Sequence, residues 1–507
     1  MKHSLWLETV AFKKYPNLDR EEHVDVCIIG GGIAGITTAY QLRNKGLKVV
    51  LIDADQITHG TTGRTTAKIS AQHGAIYDDI IQHYGQERAQ MYADATRMAQ
   101  TFIKQRIQDL NIDCNYEELP AYLYTQKESN IETLQKEYEG ANLLGFDCEL
   151  LDTLQLPFGV TKALKFNNQA QFHPLKYLQT LAHEFVMAGG VIYENTKATD
   201  INQNEYGTYT VSTEYNFSVH AKKVIITSHF PMYDHRAFIF AKMKPERSYV
   251  LAINNASPLP HGMYINLEDP TISLRTYNDG DLDVLLVGGQ NHRTGTSPDT
   301  LNHYAYLKQF SKDYFNSDDV LYEWSTQDYV TVDYIPYIGK LKESNDDIYV
   351  ATGFNKWGMT NGTLAGLLLS MQILGEENET TAFYSPARFN PTIHTNNLMT
   401  YTAEVAAEYI KGKLQKGEKD FILEPNQAAV IKQDGDKYGV YKDDEGNVFM
   451  VDITCPHLGC ELSFNTAERT WDCPCHGSRY SYKGEIFEGP SHLELSCCKN
   501  KIEPNIF

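Results

Sequence analysis

Residues 24–55 read VDVCIIGGGIAGITTAYQLRNKGLKVVLIDAD, and the fold class follows from this stretch. Residues 24–30 form a continuous apolar run, as expected of a strand buried on both faces of a parallel sheet. Residues 33–46 carry apolar side chains at helical spacing and end in glycine, and residues 48–55 form a second strand. Strand, helix and strand make a βαβ unit. Gly30-Gly31-Gly32-Ile33-Ala34-Gly35, between the first strand and the helix, fits G-x-G-x-x-G. Such glycines let the backbone approach a pyrophosphate closely, and the pyrophosphate then sits on the helix N-terminus. The candidate contacts are Gly30, Gly32, Ile33, Ala34 and Gly35. Asp53 closes the second strand at the place where a carboxylate takes a ribose hydroxyl. The plain alternative is a glycine-rich turn in an unrelated α/β domain; the flanking strands, helix and carboxylate argue against it.

Outward from this unit, 507 residues predict two or three domains. A net charge of 45 − 65 = −20 repels phosphate backbones and predicts no nucleic-acid partner. The first sixteen residues hold no secretory apolar core, and the longest apolar stretch, Thr363–Leu374, is shorter than the roughly 18 residues a bilayer requires. The expectation is a soluble, cytoplasmic protein with no transmembrane segment. Residues 191–196, 206–215, 222–228 and 283–289 are short β-like runs, read as an α+β insertion carrying the substrate part, near 150–330. Residues 347–353 are a late buried strand, followed by an apolar helix over 363–375. Residues 386–420 read as a helical linker, with an amphipathic helix at Tyr401–Lys413. Beyond 421, short strands broken by DGD, DDEGN and KGE turns predict a small all-β domain over 421–507. Six of the nine cysteines lie at 455–498, within that domain, which points to a separate metal module.

Three further segments bear on the nucleotide site. They are Gly60-Thr61-Thr62-Gly63-Arg64-Thr65-Thr66-Ala67, DYIPYIG at 333–339, and the pair ATGF at 351–354 and WGMTNGT at 357–363. With the glycine motif they resemble the FAD-dependent oxidoreductases of the D-amino-acid oxidase and glycine oxidase type, over about residues 20–385. The resemblance implies a Rossmann-like FAD domain over 1–385, with its FAD-binding parts near 20–100 and 330–385. It places Gly63, Arg64, Thr65, Thr66, Gly353, Asn361, Gly362 and Thr363 at the cofactor, and the backbone near Ala198 at the adenine. It also implies a helix N-terminus at the flavin pyrimidine, a dipole end that favours the anionic reduced flavin. Amine-oxidising relatives often bind a substrate carboxylate with arginine. The best match is Arg275, with His292 and Arg293 weaker candidates; an arginine on a sheet surface or in an ion pair is the alternative. Trp357 walls the flavin or packs in the core.

Cys455-Pro456-His457-Leu458-Gly459-Cys460 and Cys473-Pro474-Cys475-His476-Gly477-Ser478 give C-x-H followed by C-x-x-H. Cys and His at short spacings also suit zinc. With Tyr480 and Gly489-Pro490, however, the pattern resembles a Rieske [2Fe–2S] domain. That resemblance implies Cys455 and Cys473 on one iron and His457 and His476 on the other. It further implies a Cys460–Cys475 disulfide, hydrogen bonds from Ser478 and Tyr480 to cluster sulfurs that raise the potential, and a shielding loop at Gly489-Pro490. A disulfide is unusual in a cytosolic protein, so it is expected to be buried. Cys497 and Cys498 have no place in the pattern. No D/E-x-x-H-x-x-x-x-H helix is present to hold the mononuclear iron of a Rieske oxygenase.

The whole chain resembles the bacterial FAD-dependent oxidoreductases that carry a Rieske domain. The resemblance implies oxidation of a small amine or amino acid. Because a [2Fe–2S] centre takes one electron at a time, the fusion implies that electrons leave singly, to an acceptor protein or quinone. Two alternatives remain: a reductase taking electrons in through the cluster, and a redox sensor without turnover.

Overall fold

The computed structural model describes residues 4–497, apart from 235–236, 255–256, 342–346, 416, 418–421 and 434, and apart from the side chains of 392, 394 and 396. The glycine motif sits where the sequence places it. Strand Glu22–Ile29 runs parallel to Val49–Ile52 on one side and to Ser218–Ile226 on the other. The sheet continues to Val191–Tyr193 and, past Ser218–Ile226, to Ile348–Thr352 and the antiparallel edge Tyr337–Lys340. Ala198–Gln203 and Tyr209–Thr213 form an antiparallel hairpin off Ser218–Ile226.

The strands at 191–226 therefore belong to this first sheet, which corrects their assignment to the substrate part. Short apolar runs encode strand formation but not which sheet receives the strand.

The helix Ile33–Leu42 lies against Gly358–Ile373, in which 14 of the 16 residues are buried. A helix apolar on every side needs burial on every side. The two backbones approach closely: a Cβ on Gly362 would lie 2.5 Å from Ile33 Cγ2.

A nine-stranded mixed sheet stands beside this unit, in the order Val320–Thr331, Met243–Asn254, Asp283–Arg293, Ile272–Asn278, Met263–Asn266, Glu117–Thr125, Lys162–Gln171 and Lys68–Ile69, with Cys148–Leu151 added on Lys162–Gln171. Alternate side chains feed different cores. Leu274, Leu285 and Val287 pack with Leu307 and Phe315 of the helix Leu301–Phe315, whereas Val250, Ala252 and Leu286 join the core shared with the nucleotide unit.

The C-terminal part is all-β: a three-stranded antiparallel sheet, Ala428–Gln433, Asp436–Lys442 and Val448–Asp452, and a four-stranded one from Ser463–Asn465 to Ile486–Glu488. Trp471 fills the space over Gly439, whose missing Cβ would fall 2.3 Å from the indole. The expected linker helix is longer than its amphipathic core, Pro391–Leu414, and it is a strut: Tyr401 is buried and Lys413 pairs with Glu461 at 2.6 Å. The domain boundary near 420 and Cys498 lie outside the described residues; Cys497 is exposed.

Candidate functional site

Two constellations carry chemistry. The first is the crevice at the carboxyl ends of the parallel strands. Gly35, in the first turn of the dinucleotide helix, lies so close to the end of the preceding strand that a Cβ there would lie 1.9 Å from Gly30 O. Gly32 caps the helix without a side-chain hydrogen bond, which leaves its positive end available to an anion. Asp53 accepts from Gly31 N at 2.6 Å and from Asp55 N at 2.9 Å. Burial pushes its carboxyl up to about 6 against these two donors. Thr62 Oγ1 takes Ile33 N at 3.1 Å and so ties the hydroxyl-rich segment to the helix start.

Every backbone carbonyl from 63 to 67 is held by a side chain. Ser4 Oγ donates to Gly63 O at 2.5 Å, Trp324 Nε1 to Arg64 O at 2.9 Å and Trp6 Nε1 to Thr65 O at 2.7 Å. Arg275 Nη1 donates to Thr66 O at 2.9 Å and to Ala67 O at 2.7 Å. Arg275 Nε donates to Thr276 O, and the Trp6 ring lies 5.3 Å from the guanidinium. Burial lowers this arginine to about 9, so it keeps its charge at neutral pH. Lys68 is buried beside it, donating to Tyr264 O at 3.0 Å and to Ser273 Oγ at 2.6 Å. Burial, reinforced by Arg275, lowers Lys68 to about 7. A cavity of about 240 Å³ adjoins Arg275, with Glu117, Gln171, Tyr277 and Asp283 in its wall. Gln171 Oε1 is buried there without a hydrogen-bond partner.

Gly353 follows the strand Ile348–Thr352, and Asn361, Gly362 and Thr363 lie in the first turns of the apolar helix. Gly353 has φ +71°, and Asn361 Nδ2 donates to Phe354 O at 3.0 Å while its Oδ1 is buried unpaired. Thr363 Oγ1 bonds back to Met359 O, and Trp357 stacks on His73 at 5.0 Å. Ala198 begins the hairpin strand paired with Thr213. The amide cradle, the uncapped helix and the orphaned Asn361 oxygen fit a dinucleotide with a polar ring. Because Gly362 meets Ile33, Gly362→Val overpacks the helix pair by about 1–3 kcal/mol. The expected result is FAD affinity down about tenfold or more, measured by fluorescence titration, while Gly159→Ala, in open space, leaves it unchanged.

The second constellation lies on two loops. Cys455 N donates to Cys460 O, and Cys473 N to Ser478 O, each at 2.8 Å, which folds the loops tightly. A buried disulfide joins Cys460 and Cys475 across them, Cα to Cα 6.5 Å. Cys473 Sγ lies within 4.8 Å of both disulfide sulfurs, but those sulfurs are bonded to each other and offer no thiolate. The remaining donors are Cys455, Cys473, His457 and His476. The Cys473 side-chain bond draws the Cys455 thiol down to about 6 and pushes Cys473 well up, so the pair shares a proton. Burial lowers His457 to about 4 and His476 to about 3, which keeps both imidazoles neutral, the form that binds metal. His476 Nδ1 is buried with no partner. Two thiols and two neutral imidazoles, one of them orphaned, fit a Rieske cluster.

Tyr480 OH lies 3.6 Å from Cys455 Sγ, and Ser478 Oγ accepts from Ser491 N at 3.1 Å. Gly489 crosses so close to Ser478 that a Cβ would lie 2.5 Å from Ser478 Cα, and Pro490 is buried behind it.

These loops dock on the nine-stranded sheet and on the strut helix. Arg293 Nη2 donates to Cys475 O at 3.1 Å, Tyr401 OH to the same oxygen at 3.0 Å, and Gln327 Nε2 to Gly477 O at 2.9 Å. Arg293 is thus an interface residue, and His292 belongs to a stacked cluster with Tyr249 and His303. Arg247, 1 % exposed, lies 3.6 Å from both Glu468 and Glu488, across the interface. Arg479 pairs with Asp472 at 3.0 Å and with Glu488 at 2.6 Å. Burial opposes charge on His229, yet Asp328 at 3.5 Å and Glu488 at 3.9 Å hold it above its ordinary value. Arg247, Gln327 and the tryptophan donors escape sequence reasoning because their partners across the fold are 59 to 260 residues away and several are backbone carbonyls, which no spacing rule reports.

Comparison with known proteins finds a match for each of the two regions. Residues 25–372 match the family described as FAD dependent oxidoreductase, and residues 417–499 match the Rieske [2Fe-2S] domain. The chain is 41% identical over 488 residues to a Bacillus subtilis protein named as a Rieske 2Fe-2S iron-sulfur protein, YhfW, covering 96% of this chain and 95% of that one. It is 26% identical over 396 residues to the gamma-glutamylputrescine oxidoreductase of Escherichia coli, covering 73% and 88%. The glycine oxidase from Geobacillus kaustophilus superposes with a TM-score of 0.59 at 16% identity, over 73% of this chain and 99% of that one, a likeness of fold. No helix among the described residues is long and apolar enough to cross a membrane.

Proposed function

Because the chain belongs to the FAD dependent oxidoreductase family and ends in a Rieske [2Fe-2S] domain, we propose that it oxidises a small amine or amino acid and delivers the electrons singly to an external carrier. The observation that carries the reading is the docking of the cysteine and histidine loops on the nine-stranded sheet and the strut helix that pack with the nucleotide unit, through Arg293, Gln327 and Tyr401. A C–H/N–H pair of the substrate becomes a C=N bond, releasing two electrons and two protons, and two equivalents of a one-electron acceptor are reduced. FAD, when bound, supplies two-electron acceptance from carbon, and the cluster supplies one-electron exchange with the carrier.

The chain's own residues prepare the site. The donors Ser4, Trp6, Trp324 and Arg275 hold the 63–67 backbone rigid. Lys68, buried beside Arg275, braces the same region by donating to Tyr264 O and Ser273 Oγ. Arg275, through the cavity it lines, is the proposed carboxylate contact, and Glu117 and Asp283 in the same wall favour the ammonium. Gln327 ties the two parts together through Gly477 O.

The role of Arg275 is tested by Arg275→Lys. A carboxylate contact made in addition to the clamp predicts KM up about tenfold at saturating FAD, since a charged hydrogen bond is worth about 1.5–3 kcal/mol. A purely clamping role predicts FAD loss with KM unchanged. The function is tested in aerobic turnover with small amines and ferricyanide. The expected result is acceptor reduction outpacing peroxide formation; peroxide as the main product removes the one-electron reading.

A further inference from the structure

Both imidazoles of the iron–sulfur site are touched by a side chain from the nucleotide half. The Phe240 ring centroid lies 5.0 Å from His457 at 87° and 5.1 Å from His476 at 88°, while the two imidazoles are 5.1 Å apart at 87°. Each pair meets edge to face, the arrangement an aromatic quadrupole prefers.

The turn that carries Phe240 is anchored. The Asp234 carboxylate accepts from Ile239 N at 2.7 Å and from Phe240 N at 2.9 Å. The strand that follows brings Pro245 against Gly477, where a Cβ would lie 2.5 Å from the proline. The two histidines are not equivalent. His476 is 6 % exposed, whereas His457 is half-buried and flanked by exposed Pro456 and by Leu458, 53 % exposed.

We propose that Phe240 is a positioning residue of the iron–sulfur site, fixing the planes of both imidazoles and closing His476 against the nucleotide half, so that an external one-electron carrier reaches the site at His457. The two histidine ligands thereby acquire an inner and an outer side. The assignment holds whichever substrate the nucleotide half takes, and its test needs no substrate.

The test uses the protein carrying both cofactors. Diethyl pyrocarbonate acylates the imidazole nitrogen that faces away from iron, and peptide mass analysis reads His457 and His476 separately. Because modification of a covered group waits on local opening, His457 is expected to react about tenfold faster than His476. Phe240→Ala is expected to raise the His476 rate about tenfold and to change the EPR g-values of the dithionite-reduced cluster, whereas Phe240→Tyr restores both. Should the alanine protein fail to assemble its cluster, Phe240→Leu reads the same two quantities. Equal rates for the two histidines in the unaltered protein would overturn the proposal. So would a ring-deleted variant with unchanged EPR and an unchanged His476 rate.

Discussion

A Cys455→Ser protein is expected to purify yellow instead of brown, with FAD bound and iron close to zero. Cys455 is 2 % exposed, and its Sγ faces Cys473 and the Tyr480 hydroxyl. Iron in this kind of site is held by thiolate, and a serine hydroxyl does not ionise near neutral pH. Loss of a residue that merely orients a metal ligand already costs about 10–100-fold in affinity, so loss of one of two thiolates on an iron removes the cluster. The FAD crevice is built from other segments, Gly30–Gly35 and 60–67, so flavin content is expected to stay at one per chain. Iron analysis and the visible spectrum check both halves of this expectation. Tyr480→Phe is the contrasting variant: iron stays, and the cluster potential falls, because one donor to the Cys455 sulfur is gone. A brown Cys455→Ser protein with two irons would show that the ligands are misassigned.

Arg247→Met is expected to destabilise the protein by about 3 kcal/mol, the scale set by removing one partner from a buried ion pair. Arg247 is fully buried, with Glu468 and Glu488 each 3.6 Å away on the other side of the interface and Ser325 accepting a further hydrogen bond. Its removal leaves those largely buried carboxylates with Arg479 and Arg64 as the strong cations nearby. Urea unfolding, followed by flavin fluorescence and by cluster absorbance, reads the loss. The exposed pair Lys162–Asp152, 2.6 Å apart with the aspartate side chain 92% exposed, provides the comparison. Lys162→Met is expected to change stability by less than about 1 kcal/mol, because solvent screens such pairs. Equal effects for the two variants would mean that the interface network is solvated.

Residues 24–55 announce the nucleotide unit because each local signal agrees with the next: apolar strand, glycine turn, helical period, second strand and terminal carboxylate. The cysteine and histidine loops are equally legible, since all four donors and the disulfide pair lie within 22 residues and their spacing is the chemistry. The strands at 191–226 were not placed from sequence, because a strand's sheet is chosen by tertiary packing. The helix at 391–414 reads as a linker because its key residue, Tyr401, differs from any surface tyrosine only through its bond to Cys475 O. Arg275 is singled out by its strand, yet its two bonds to Thr66 and Ala67 span more than 200 residues and leave no periodic trace. Phe240 and Arg247 are ordinary in sequence, and their meaning lies wholly in what the C-terminal domain sets against them.

The central claim is that electrons taken from a small amine or amino acid at the FAD crevice pass into the iron–sulfur site of the same chain. An anaerobic titration of the protein carrying both cofactors, followed by visible absorption and EPR, tests it most directly. As small amines and amino acids are added one at a time, one of them is expected to bleach the flavin band and raise the EPR signal of the reduced cluster in the same sample. The rate should be independent of protein concentration, as transfer within one chain requires. If no compound reduces the flavin while dithionite reduces both centres, the account of the substrate is contradicted. If the flavin is reduced and the cluster stays oxidised, the account of the electron path is contradicted.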